Sequence, residues 1–317
     1  MIRQTGTELP VQLLPLFRER VWGRKTLAPF FSEDPDGKLI GEIWFTFEEN
    51  LTSTGKSLGE LIRENPHILG RALDDRHPSI CPLLVKLIFT SERLSVQVHP
   101  DDEYARKHHG CLGKTEAWYV MDSQPPGEVA VGFRQPLTPD IFRSSVESGE
   151  VEQLLDWRKV GQGDVIFTPA GTVHAIGAGL TICEIQENSD ITYRLYDYGR
   201  PRELHLDHGI AVSKLGPHDC HTTTKQLADW RVALMDCEYF RMERLDLYRP
   251  LRIAEGQDYF LLLICLEGSG TIAEQDFHAG TAWMVPAGNR EFTIEGTESQ
   301  WILAYLSDTV AENLHAS

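Results

Sequence analysis

The chain has no CxxC pair. Its six cysteines stand apart, at Cys81, Cys111, Cys183, Cys220, Cys237 and Cys265. Free thiols in a reducing cytosol are the simplest reading of that pattern. No apolar run comes near the ~20 residues of a membrane span; the longest lies around residues 259–266. The opening Met1-Ile2-Arg3-Gln4-Thr5-Gly6 shows no apolar signal-peptide region. Basic residues are scarce: 30 Lys and Arg stand against 47 Asp and Glu, a net charge of −17. Nucleic acid and anionic membrane reward a basic surface, so neither is expected as the main partner. A small anionic substrate held by a few placed cations remains compatible with that charge.

What is present is a globular composition, 41% hydrophobic and 24% charged, in 317 residues. That length suggests about two domains and can bury a core without disulfides. Short β-rich runs dominate, among them residues 43–47, 83–89, 94–99, 117–121, 129–133, 164–168, 181–185, 191–196, 260–266 and 301–306. Gly, Pro and Asp separate them, which points to a sandwich or barrel. Helical patterns are confined to inserts. Ser57-Leu58-Gly59-Glu60 is a capping box. Thr138-Pro139 reads as an N-cap with proline at the first helical position. Residues 101–109 form a short helix stopped by Gly110. A polar stretch at 216–224 reads as a linker.

One segment occurs twice. Gly163 is followed by five residues, Pro169-Ala170-Gly171, two more, and His174; Gly280 is followed by five residues, Pro286-Ala287-Gly288, two more, and Glu291. Two copies of one β unit are expected, the first ending in a metal-capable side chain.

The run Leu94-Ser95-Val96-Gln97-Val98-His99 alternates. Gln97 and His99 therefore share a face, as two ligands on one strand must; an exposed polar face of an edge strand fits equally well. The form GxxxxxPxGxxH over 163–174 is the second cupin motif, whose glycines and proline shape a hairpin that aims His174 inward. Gln97-Val98-His99 and Glu116 occupy the place of the first cupin motif, with Gln97 where a His is usual.

In these motifs the chain resembles the type I mannose-6-phosphate isomerases, in their short bacterial form. The resemblance runs from Val21-Trp22-Gly23-Arg24 to about Leu215 and more loosely beyond. It is carried by Gln97-Val98-His99-Pro100, Lys114-Thr115-Glu116, Pro169-Ala170-Gly171-Thr172-Val173-His174-Ala175, and Glu184-Ile185-Gln186-Glu187-Asn188-Ser189-Asp190-Ile191-Thr192-Tyr193-Arg194. It implies that Gln97, His99, Glu116 and His174 surround one zinc ion per chain and that Arg194 is an active-site residue. Longer members have an inserted helical domain and place a Lys where Arg200 stands.

The residues themselves agree with zinc, since two imidazoles and a carboxylate make an N/O site with room for an oxygen ligand. The same set suits Fe(II), so a dioxygenase stays open on ligand type. The cations Lys86, Lys114, Arg194, Arg200 and Arg202 tilt the reading toward a sugar phosphate. Arg194, four residues after Asp190 and beside Tyr193 and Tyr196, can fork onto a phosphate. Arg200 and Lys86 are the next substrate-binding choices, although Lys86 and Arg202, each taken by itself, read as solvated.

The expectation is an all-β fold of two cupin-type jelly rolls with helical inserts. Residues 1–220 would be the metal-binding catalytic domain and 221–317 a degenerate cupin-like roll. The expected reaction interconverts mannose 6-phosphate and fructose 6-phosphate by proton transfer through a cis-enediol. Lys114, Glu184, Asp190 and a zinc-bound water are open as the base. A non-catalytic sugar-phosphate-binding bicupin is the third alternative. His108 and His109 read as solvated; His205 and His208 have helical i, i+3 spacing and could bind metal, but fit an ordinary amphipathic helix.

Overall fold

The computed structural model describes residues 8–31, 37–70, 80–296, 298–306, 311 and 313–316. The chain is mostly β, with 45% strand and 14% helix. Among the described residues the strands form four sheets, and every pairing within them is antiparallel. The third sheet reaches back to the start of the chain, in the order β1 (Val11–Leu13), β20 (Ala282–Val285), β17 (Leu261–Glu267), β22 (Ser299–Tyr305), β15 (Arg241–Leu247), β14 (Arg231–Asp236), β13 (Lys225–Ala228). The second has the order β2 (Leu16–Arg24), β3 (Ile40–Trp44), β4 (Leu83–Phe89), β11 (Leu180–Glu187), β6 (Glu116–Ser123), β9 (Val165–Thr168). The first runs β12 (Tyr193–Tyr196), β5 (Val96–Val98), β10 (His174–Ile176), β7 (Glu128–Phe133), β8 (Leu155–Lys159). The fourth runs β19 (Gln275–His278), β18 (Ser269–Ile272), β21 (Phe292–Gly296), β16 (Leu251–Ile253), β23 (Leu314–Ala316).

The apolar pattern dictates how these sheets stack. In β4, Val85, Leu87 and Phe89 pack with Leu262, Ile264, Ala304 and Met284 of the third sheet, and Ile88 packs with Val129, Val131 and Ile176 of the first. Strand β11 alternates likewise: Cys183 and Ile185 face the third sheet's cluster, Ile182 the first's. The second sheet is thus covered on both faces, which is why all seven residues of β4 and all eight of β11 are buried. The third sheet is covered too, its other face packing through Leu261, Leu263, Trp283 and Trp301 onto Ile253, Ile272 and Ile294 of the fourth. Strands buried on both faces read as continuous apolar runs and not as alternation.

The first sheet turns its outer face to helices. Val96, Val98, Ala175 and Leu195 pack against α3 (Pro139–Ser148) and α5 (Leu206–Val212). The capping box at Ser57 closes α1 (Leu58–Glu64) reciprocally, and α4 (Val151–Leu154) is a single turn. Thr138 caps α3; Asp101 caps α2 (Asp102–His109), which Gly110 ends in the left-handed region. The stretch at 216–224 is pinned, not a free connector. Gly132 bridges Pro217, Ile166 bridges His221, and Cys220 is fully buried. All six cysteines are free.

The repeated segment has one local shape in both copies. Gly163 and Gly280 have φ of 91° and 88°, and each begins a turn into a strand, β9 and β20. The copies diverge at the end. His174 is buried in β10, whereas Glu291 pairs with Arg252 at the surface.

Candidate active site

The inner faces of the first and second sheets supply the polar cluster. Gln97 of β5 pairs in register with His174 of β10 and with Arg194 of β12. Across the sandwich, Glu184 of β11 lies between Lys86 of β4 and Trp118 of β6, and Gln186 lies beside Glu116. All these side chains occupy inward positions in strands whose alternate residues are apolar. Strand β5 is shorter than the sequence alternation implies. Val96 and Val98 share one face, packed on the helices, but Leu94 precedes the strand and joins the inner apolar cluster.

Two turns fix the ligand-bearing residues. Gly171, with φ of 84°, donates its N–H to the carbonyl of His99 at 2.8 Å. A Cβ there would sit 2.9 Å from the carbonyl oxygen of Val212, so glycine is required before His174. The 113–116 turn is held by three backbone donors. Gly113 bonds Asp102 Oδ1 (2.8 Å), Lys114 bonds the Pro100 carbonyl (3.0 Å) and Thr115 bonds Glu187 Oε2 (2.8 Å).

His99, Glu116 and His174 converge, fully buried, with ligand atoms within 4.8 Å of one another. His99 Nδ1 donates to the Ile191 carbonyl and His174 Nδ1 to that of Thr172, both at 2.8 Å. A carbonyl accepts only, so both rings carry their proton on Nδ1 and turn a lone pair outward from Nε2. Those nitrogens lie 3.6 and 3.3 Å from the Glu116 carboxylate. Neither Glu116 oxygen accepts a well-formed hydrogen bond, although both are buried. A buried carboxylate whose one close cation is Lys114, facing two neutral imidazole nitrogens, is a donor set that could hold a divalent transition metal. Gln97 turns its amide nitrogen Nε2 to His174 Nε2 at 3.2 Å, and its oxygen would face the same point once the amide is turned over.

Burial dominates the protonation states. It drives His174 down to about 4 and His99 well below the ordinary imidazole value, with Lys114 adding repulsion to both, so each ring is neutral near pH 7. Burial also pushes the Glu116 carboxyl up to about 7, against the pull of Lys114. Lys114 Nζ lies 2.7 Å from Glu116 Oε2 and 2.9 Å from His99 Nε2. Burial works to lower that ammonium, but Glu116 and Glu184 together hold it above the ordinary lysine value. Two carboxylates therefore stand against any repulsion that a bound cation would exert on Lys114. Burial opposes ionisation of Glu184 as well, but Lys86 and Lys114 outweigh it and lower its pKa. Glu184 pairs with Lys86 at 3.1 Å and accepts from Trp118 Nε1 at 3.0 Å.

A cleft of about 490 Å³ opens above this cluster, lined by Gln97, Lys114, Glu184, Lys86, Asp190 and Arg194, with Trp22 and Trp44 as walls. The sequence-derived cations are distributed unequally around it. Arg194 lines the cleft with Nη1 fixed on the Glu203 carbonyl at 2.7 Å, while its buried Nε has no hydrogen-bond partner among the described residues. Asp190 is exposed on the cleft wall; the Glu203 carbonyl, not Asp190, orients the guanidinium. Lys86 is committed to Glu184, Gln186 and the face of Trp44. Arg200 does not line the cleft. Its guanidinium is held by Asp197 and the Arg93 carbonyl and lies over Tyr198. Arg202, read from sequence as solvated, does line it, forking onto Asp197 at 2.6 and 2.7 Å. Arg20 is a further cleft cation, paired with Glu42 at 2.7 Å. Its one sequence signal is its place in the alternating run Arg18-Glu19-Arg20-Val21-Trp22.

Residues 11–139 match the family model of the type I phosphomannose isomerase catalytic domain. Residues 231–306 match that of the mannose-6-phosphate isomerase cupin domain. The chain is 37% identical to a mannose-6-phosphate isomerase of Bacillus subtilis, covering 92% of this chain and 97% of that protein. It is 31% identical to a mannose-6-phosphate isomerase of Streptococcus mutans, over 83% and 86% of the two chains. The crystal structure of a mannose 6-phosphate isomerase from Bacillus subtilis superposes with a TM-score of 0.85 at 30% identity, covering 94% of this chain and all of that one.

Proposed function

The chain belongs to the type I phosphomannose isomerases, and on that premise we propose that its cleft interconverts mannose 6-phosphate and fructose 6-phosphate through a cis-enediol. The observation that carries the reading is the buried His99–Glu116–His174 set beneath a cleft that also holds Arg194 with an unpartnered Nε. A zinc ion held by His99, Glu116 and His174, with the Gln97 amide oxygen as a fourth contact, would polarise the sugar's oxygens as a Lewis acid.

The chain's own residues divide the remaining work. Glu184 is ionised and lines the cleft, which supports it as the carboxylate that takes the C2 proton. Lys114, kept charged by Glu116 and Glu184, supports charge developing on the substrate's oxygens and serves as the acid. Arg194 receives the phosphate with Arg202 beside it, its planar guanidinium offering two donors to two phosphate oxygens. Asp190, exposed at the cleft, assists ring opening. Lys86 keeps Glu184 ionised and oriented, and Arg200 steadies Asp197, on which Arg202 forks.

The same reading extends to the fold. The first two sheets form a catalytic cupin barrel within residues 1–220, and the last two a degenerate one within 221–317, with β1 contributed to the second. The repeated turn and the cupin-domain match over 231–306 support this. The six free cysteines fit a cytoplasmic location. The test is a coupled assay with mannose 6-phosphate and free mannose. Turnover of the phosphate ester at well over tenfold higher kcat/KM is expected; equal turnover of both sugars would sink the sugar-phosphate assignment.

A further inference from the structure

A second group of imidazoles stands outside the cleft. His108 and His109 end α2, and His208 lies in the first turn of α5. The ring centre of His208 is 5.6 Å from that of His108 and 5.6 Å from that of His109, which lie 6.4 Å from each other. All three are exposed.

Two tyrosines orient these rings. The Tyr104 hydroxyl bonds His208 Nδ1 at 2.9 Å, and the Tyr104 ring stacks on His108 with centres 4.2 Å apart. The Tyr193 hydroxyl bonds His109 Nε2 at 2.6 Å, and the Tyr193 ring stacks on His208 at 5.2 Å and 13°. One nitrogen of His208, Nε2, and one of His109, Nδ1, remain uncommitted. Fixing one ring nitrogen so that the other can ligate is what outer partners do at metal sites.

We propose that His108, His109 and His208 form a surface site for a divalent transition metal of the zinc type, separate from the His99–Glu116–His174 set. The donor chemistry selects the ion: three imidazoles suit zinc, nickel or copper and not magnesium or calcium. The spacing permits it. With metal–nitrogen bonds of about 2.1 Å, two imidazoles on one tetrahedral ion have centres roughly 5 Å apart. Exposed side chains cover the remaining difference by ordinary rotamer motion. The location also favours a cation, because α2 ends here with its carbonyls and their partial negative charge. Lys107, next to His108 at the end of α2, opposes it.

A metal at this point would brace the strand that carries Arg194. Helix α2 begins three residues after His99. Helix α5 follows His205, whose Nδ1 accepts the backbone N–H of Arg194 at 3.2 Å. Joining α2 to α5 closes a clamp over Tyr193.

The experiment counts zinc by elemental analysis after equilibrium dialysis of the zinc-saturated protein. Wild type, His108→Ala, His208→Ala and His99→Ala are compared. The first two variants are expected to hold one equivalent less than wild type while retaining isomerase activity, with zinc affinity at the lost site weakened at least about tenfold. His99→Ala is expected to lose a different equivalent, along with activity. Near-UV circular dichroism checks the fold, and His208→Gln replaces His208→Ala if that variant does not fold. Equal zinc content in wild type and both surface variants overturns the proposal, whatever His99→Ala does.

Discussion

At the scale of single residues, both histidines of the proposed metal set, His99 and His174, are already in the tautomer that ligation needs, because each Nδ1–H is spent on a backbone carbonyl. Removing either ring deletes a prepared donor. His174→Ala should lose bound metal and activity together; one tightly held equivalent of zinc remaining at the His99 set would refute the assignment. Arg194→Ala removes a charge-assisted contact of roughly 1.5–3 kcal/mol, so kcat/KM for the phosphorylated sugar should fall at least about tenfold. Free mannose should be little affected, and an equal loss on both sugars would move Arg194 from the phosphate to the reacting carbons. Glu187 offers a test by pH. Burial, with Asp102 adding to it, pushes its carboxyl up to about 8. The unfolded chain releases that proton near the ordinary carboxylate value, so between there and about pH 8 the folded state holds more protons. Stability should decline as pH rises through that window, by up to about 1.4 kcal/mol per pH unit from this group. In Glu187→Gln that component of the decline should vanish, as read from urea melts across pH 5 to 9; identical slopes would show that the carboxyl is not held protonated.

At the scale of elements, the hairpin turn ending at His174 depends on Gly171. Its φ of 84° and the nearby Val212 carbonyl leave no place for a side chain. Gly171→Ala should destabilise the protein by about 1–3 kcal/mol and weaken metal binding through His174. Unchanged melting and unchanged metal content would show the turn to be more pliant than drawn. Such local devices were legible in the residues: the capping box at Ser57, the Thr138–Pro139 helix start, and the Gln97-Val98-His99 alternation each encode a geometry within a few positions. The cations were legible only in part. Arg194 stands out by its aromatic neighbours. Arg20 reaches the cleft from β2, the edge strand of the second sheet, and Arg202 because Asp197 turns it back; the sheet order that puts β2 there is not local in sequence. Arg200 illustrates the converse, a well-placed charge whose partners, Asp197 and the Arg93 carbonyl, spend it elsewhere. Leu94 slipped because an alternating pattern does not announce where a strand begins.

At the scale of the whole molecule, the second and third sheets share one apolar layer, built by Val85, Leu87, Ile185, Leu262, Ile264 and Ile302 with α1 beside it. A layer common to both halves couples their stabilities. Calorimetry should therefore show a single transition whose calorimetric and van't Hoff enthalpies agree; two resolved transitions would show the halves to be independent. The three-residue strand β1 adds a consideration of timing. Val11 of β1 finds its partner at Met284, so a ribosome that has made one must still make about 270 residues before the other exists. At roughly 5–20 residues per second, that is an interval of about 15–50 s. During it the nascent chain carries an open β edge, a natural place for a chaperone to wait.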